Sequence, residues 1–175
     1  MIFTVDEIKS VSDFQTLDDS TVQMMLDGVE SLIRAYTHNN FQNRNIRFSA
    51  SSDGNTLQGI HPFVKVGDTL QVTESDVNDG LYVVTELNED SVVVNGDLFP
   101  VDHNLCTKVV YPADVKQGVL NLLKWEVHQR DKVGIQSETI SRHAVTYFNQ
   151  DTSNQVMGYP VSLMGFLKPY MKARF

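Results

Sequence analysis

Between Thr4 and Tyr36 the apolar residues recur every three or four positions, whereas from Phe63 to Tyr111 they gather in short β-branched runs. That change of period divides the chain. Thr4-Val-Asp-Glu7 has the Ser/Thr-x-x-Glu form of a capping box and predicts a short helix ending near Val11. After Asp18 and Asp19, the residues Val22, Met25, Leu26, Val29, Leu32, Ile33 and Tyr36 fall on one face of a helix of about five turns. The two aspartates stand where the helix dipole favours negative charge, and THNN (Thr37 to Asn40) ends the helix.

The segment FQNRNIRFSA (Phe41 to Ala50) alternates weakly and is a possible strand, and SSDGNTLQG beyond it reads as a boundary. The runs FVKVGDTLQVT, GLYVVTEL, SVVVNGDLFPV and CTKVVYP then follow, separated by Gly-Asp, Asn-Asp-Gly, Asn-Glu-Asp and Asn-Gly. Asn95-Gly96 is the favoured pair for a two-residue type I′ hairpin. About five short strands predict a small antiparallel barrel or sandwich, which leans on flanking helices because it buries little by itself.

Pro112 suits the first position of a helix, with Asp114 in the first turn. Val115, Val119, Leu122, Leu123, Trp125 and Val127 cover a broad arc of that helix, so it should pack on more than one side, and Gly134 should stop it. Ile135 to Asn149 is polar, β-branched and extended in character, and QDTSNQ is a loop. The expected architecture is α+β: a helical bundle core with an inserted small antiparallel β-barrel and an extended C-terminal arm. Its parts are an N-terminal helical part (1–50), the inserted barrel (51–111), a core helix completing the helical part (112–134), and an arm with a docking tail (135–175).

Composition narrows the function. In 175 residues, 41% are hydrophobic and 21% charged, enough for a core and too ordered in character for wholesale disorder. The net charge of -8 argues against a sequence-independent grip on DNA phosphate, which needs clustered Lys and Arg. The acids concentrate between Asp53 and Tyr111, where only Lys65 and Lys108 oppose them, and the balance reverses after Tyr111. Head-to-tail contact between copies is one use of such asymmetry. A lone cysteine, Cys106, excludes an internal disulfide, and neither a signal peptide nor a membrane span is legible. A soluble protein of the cytosol is expected.

Catalytic patterns are not legible. His38, His61, His103, His128 and His143 are scattered, with no zinc-helix pair, no phosphate-cradling loop and no nucleophile elbow. Ser141 and His143 share a strand face without a third orienting group. Asp18 with Asp19, and Asp76 with Asp79, lack the spacing of a calcium loop and read as helix-capping and turn residues. Cys106 reads as a buried small apolar residue and Trp125 as a core residue. No catalytic, cofactor or metal residue is assigned, and no cofactor is expected.

KVGIQSETISRHAVTYF (Lys132 to Phe148) resembles the stretch that follows the last long helix in head–tail connector proteins of long-tailed bacteriophages, also called adaptor or head-completion proteins. The matching positions are Gln136-Ser137-Glu138-Thr139-Ile140 and Val145-Thr146-Tyr147. FTVDEIKSV and the helix ending SLIRAYTHNNF are similar to the amino-terminal half of that family, with Tyr36-Thr37-His38-Asn39 in place of its Tyr-Thr-Gly-Arg-like turn. GYPVSLMGFLKPYMKARF resembles the tails of connectors from phages of low-GC Gram-positive bacteria, and the Asp53 to Tyr111 insertion departs from the purely helical members.

The resemblance implies a virion protein of the neck, made in the host bacterial cytoplasm. It implies a homo-oligomeric ring, typically a dodecamer, beneath the portal protein, extending the DNA channel and receiving a stopper or tail protein. Genomic DNA would pass through without sequence-specific binding, no reaction would be catalysed, and no membrane is involved. A stopper or tail-completion protein is the near alternative, and a small-barrel nucleic-acid-binding module is the alternative of another class. An inter-subunit arm would use Gln136, Glu138, Ile140, Arg142, Val145 and Tyr147, pairing edge to edge with a neighbour.

Two readings of the tail compete. Leu163, Met164, Phe166 and Leu167 could cover the chain's own core. Alternatively Tyr159, Leu163, Met164, Phe166, Leu167, Tyr170, Lys172, Arg174 and Phe175 dock on the portal or an adjacent subunit, since aromatics, Met and Arg suit interface cores. The second is the expectation.

Overall fold

A computed structural model describes residues 1–129, 137–140, 143–146 and 155–173. The chain divides into two compact units: a β unit of residues 1–2 and 39–111, and a helical unit of residues 3–38 and 112–175. The chain thus leaves the helical unit after His38 and returns to it at Pro112.

The β unit is a four-stranded antiparallel sheet of β1 (Gln42–Gln58), β2 (Thr69–Thr73), β3 (Gly80–Leu87) and β4 (Ser91–Val109) in the order β1-β4-β2-β3. β4 is long enough to change neighbours: Val92 to Val94 pair with β3, and Leu105 to Val109 pair with β2. β1 follows β4 through several register shifts, each of which bends the pair. Gly59 lies so close to the Ser49 carbonyl that a Cβ there would stand 2.7 Å from the oxygen. Only glycine permits that approach and its φ of +155°. The core holds Ala50, Leu57, Val64, Leu70, Val72, Val84, Val92, Val94, Leu98 and Cys106, so the alternating residues of all four strands meet on one side.

The helical unit is built on α1 (Val5–Lys9), a 3-10 turn (Ser12–Phe14), α2 (Asp19–Thr37) and α3 (Ala113–Gln129). Thr4 and Glu7 form the reciprocal capping box, and Asp18 caps α2 through the Thr21 amide. α2 buries Val22, Leu26, Val29 and Ile33 at alternating steps of four and three, and α3 buries Val115, Val119, Leu122 and Leu123. Glu30, although buried, pairs with Arg34 one turn on. His38 ends α2 in the left-handed conformation.

After α3 come the paired strands β5 (Ser137–Ile140) and β6 (His143–Thr146), then β7 (Gln155–Val156) and β8 (Tyr159–Pro160). A short α4 (Val161–Met164) and a 3-10 helix (Gly165–Tyr170) finish the described chain. No helix among the described residues is long and apolar enough to cross a membrane.

Several sequence expectations are corrected. The molecule is not built on a helical bundle core, and the strands do not close into a barrel. The insertion has two long strands and two short ones, because SSDGNTLQG continues β1 where a boundary was expected at 50/51. Asn95-Gly96 makes no hairpin; both residues lie inside β4. Asn95 instead accepts a hydrogen bond from the Val83 amide at 2.8 Å, and Gly96 leaves room for the Tyr82 ring, which a Cβ would approach to 3.0 Å. The turn into β4 is made by Asn88, whose amide donates to the Ser91 carbonyl. In the arm, Ser137–Ile140 and His143–Thr146 are extended strands that pair with each other, Glu138 opposite Val145 and Ile140 opposite His143. Gly134, expected to stop α3, lies outside the described residues.

Candidate functional site

In the β unit, the loop between β2 and β3 is held by one buried side chain. Asn78 is 1% exposed. Its amide nitrogen donates to Ser52 Oγ at 3.0 Å, the Phe99 carbonyl at 2.9 Å and Asn104 Oδ1 at 3.2 Å. Its oxygen accepts from the Phe99 amide at 2.8 Å, and its own carbonyl accepts from Tyr82 Oη. Asn104 passes the network on to the Ala50 carbonyl at 3.0 Å. Ser75 and Asp79 close the loop on itself: Asp79 accepts from the Ser75 amide, and Ser75 Oγ from the Asn78 amide. Glu74 and Asp76 adopt positive φ (62° and 64°), a costly conformation for residues with a Cβ, which these bonds hold in place.

What this lock presents is apolar. Val77 precedes Asn78 and is 55% exposed, and Phe99, gripped by Asn78 through both backbone groups, is 65% exposed. Pro100 beside Phe99 is exposed, as are the carboxylates Asp76, Asp97 and Asp102. Large apolar side chains are thus held in water on a backbone that the buried hydrogen bonds keep from collapsing inward.

A second loop, at the opposite end of β2, follows the same plan. Lys108 donates to the Phe63 carbonyl at 3.0 Å and pairs with Asp68, which also accepts from the Lys65 amide. Phe63 and Val66 remain exposed beside that anchor. In the helical unit, a groove of about 220 Å³ is lined by Met24, Met25, Gly28, Val29, Leu123, Glu126 and Tyr159.

Ser49, His103 and Glu74 meet on the outer face of the sheet. Ser49 Oγ lies 2.9 Å from His103 Nδ1, and His103 Nε2 lies 3.9 Å from Glu74. The second distance exceeds a hydrogen bond, and all three side chains stand in water, so the order of residue types is that of a triad without its enclosure. Sequence reading missed the trio because its members come from β1, β4 and the loop after β2.

The tail residues divide. Tyr159, Met164 and Leu167 are buried within the chain. Leu163 and Phe166 are half-buried, and the Phe166 ring fills the space over Gly118, where a Cβ would come within 2.5 Å of it. Tyr170, also half-buried, donates from Oη to the Asp114 carboxylate at 2.8 Å, which raises the phenol pKa. Lys172 is exposed, its amide donating to the Thr37 carbonyl. Arg174 and Phe175 lie outside the described residues. The short helices of the tail lie against α2 and α3.

Of the arm residues, Glu138, Ile140 and Val145 stand in the β5–β6 hairpin, and Gln136, Arg142 and Tyr147 lie outside the described residues, as does Ser141 of the Ser141/His143 pair. Burial pushes the Cys106 thiol up to about 12, so it is an inert core group. Trp125 packs against Tyr159 with ring centroids 5.4 Å apart. Asp18 is held well below the usual carboxylate range by the Ser20 and Thr21 hydroxyls and the Thr21 amide. Asp13 is lowered by a hydrogen bond from Lys124, with help from His128. These acids are engaged in local structure. The tip around Phe99 was not singled out from the sequence; its available signal was the turn-former cluster SDVNDG and a Phe-Pro step amid a strand run.

No family model and no curated protein matches the chain.

Proposed function

We propose that the protein is a structural subunit of the head–tail connector type, a ring-forming adaptor in the neck of a tailed-phage virion. It would bind the portal, extend the DNA channel and receive the next neck or tail protein. The observation that carries this reading is the pair of hydrogen-bonded loops that hold Phe63, Val66, Val77 and Phe99 in water, since such surfaces serve protein contact. The Lys132 to Phe148 resemblance supplies the family, and the acid-rich β unit suits a wall from which DNA must slip.

The test is to mix the purified protein with the portal protein from the same genome and image the product by electron microscopy. A ring seated on the portal supports the adaptor role. Capture only by a preformed adaptor–portal complex replaces it with the stopper role. Salt-sensitive binding to short DNA duplexes, without capture by either, replaces both with the nucleic-acid-binding module.

A further inference from the structure

The β unit contains ten acidic residues against Arg44, Arg47, Lys65 and Lys108, so it holds most of the net charge of -8. At its Asn78-locked tip, Val77 and Phe99 are exposed, and the exposed acids Asp76, Asp97 and Asp102 lie within three residues of one or the other along the chain. The opposite combination occurs elsewhere in the same chain. From Gln155 to Ala173 there is no acid; Lys168 and Lys172 are exposed, and Met171 is half in water. Burial of Met164 and Leu167 beneath this segment fixes its outer face, so its cations are displayed from a packed base.

We infer that the Val77–Phe99 tip of one copy docks on the Lys168–Lys172 face of a second copy, a head-to-tail contact between two different surfaces. Exposed Val77 and Phe99 among acids, meeting exposed Met171 between two lysines, match opposite charge and apolar contact. Two unlike faces on one chain leave each bound copy with one face free. Such contacts propagate and close only as a ring, or else run on as a filament. The inference deepens the connector reading by naming the surfaces through which copies of the subunit would meet.

The test uses full-length protein in sedimentation velocity, over a range of concentrations and from low to high salt. Wild type should self-associate, less so as salt rises. Phe99→Glu, an exposed change that leaves the fold intact by circular dichroism, should weaken association about tenfold or more. Two charge-reversed chains, Asp76→Lys/Asp97→Lys and Lys168→Glu/Lys172→Glu, should each be monomeric alone and associate when mixed. Mixing restores opposite charge at both kinds of junction, an effect that a merely destabilised variant cannot imitate.

A wild type that stays monomeric throughout, variants that associate as wild type does, or reversed chains that do not recover on mixing would each overturn the inference. The portal experiment separates the two levels. Self-association unchanged in Phe99→Glu, with portal capture of wild type, leaves the connector reading standing and this interface refuted. Self-association lost in Phe99→Glu, with no portal capture of wild type, leaves the interface standing and the connector reading refuted.

Discussion

The two units handle the same kinds of side chain in opposite ways. In the helical unit, Tyr159, Met164 and Leu167 of an apolar tail are buried, while Phe166 and Tyr170 are partly covered and held to α3 by a glycine gap and a carboxylate. In the β unit, buried asparagines and serines grip a loop from within, and Phe99 and Val77 are left in water. An apolar side chain therefore says little about its use until its backbone is accounted for. Where the backbone can move, hydrophobicity draws the residue in; where buried hydrogen bonds hold the backbone, the side chain stays out.

The largest expected effect tests the tail. Ending the chain after Gln155 removes the buried Tyr159, Met164 and Leu167 at ~2 kcal/mol each and opens the surface beneath them, a loss on the order of 5 kcal/mol. Helical ellipticity at room temperature should fall sharply, and the Trp125 fluorescence should shift toward that of a solvated indole. A truncated chain that melts like the full one would make the tail dispensable and erase the contrast.

The lock comes next. Asn78→Ala removes the partner of the Phe99 amide and of Asn104 Oδ1, while the Phe99 carbonyl keeps its hydrogen bond from Ser52 Oγ, and should cost about 2–3 kcal/mol in urea denaturation. Fluorine labelling of Phe99 should at the same time report a broadened, averaged environment.

A smaller effect belongs to the gap in α3. Gly118→Val drives a side chain into the Phe166 ring and should cost about 1–2 kcal/mol. In a Phe166→Ala background the same change should be nearly neutral, and the double-mutant cycle reads the coupling directly.

The smallest effect is electrostatic. The Asp18 carboxylate is lowered in the folded chain, so its stabilisation is present above the ordinary carboxylate pKa, near 4, and fades as the pH falls through the lower folded value. Asp18→Asn keeps a competent cap at neutral pH. It should therefore melt like wild type at pH 7 and show a flatter loss of stability on acidification. Equal slopes for the two proteins would remove this contribution from the helical unit.

Local signals were legible wherever one segment contained the whole cause. The Thr4–Glu7 box, the Asp18 cap, the apolar face of α2 and the burial of Cys106 follow from nearest neighbours and helical period. The failures all involve a distant partner. Asn95-Gly96 has the chemistry of a hairpin, yet Tyr82 and the Val83 amide reach across from β3 and keep it within a strand. SSDGNTLQG has the composition of a linker, yet β4 pairs along it. The Ser49–His103–Glu74 trio and the Phe99 tip are assembled from separate strands, so no window of sequence contains them.

The amino-acid order by itself determined where the helices start, that residues near 60 to 110 are β, and that the negative charge lies chiefly among them. These are consequences of side-chain period, cap chemistry and composition, which act over a few residues. Tertiary structure alone decided that the tail is core and that Phe99 is not. Burial depends on which surfaces face each other, and a hydrogen-bond network that spans three strands can override the preference of any single residue.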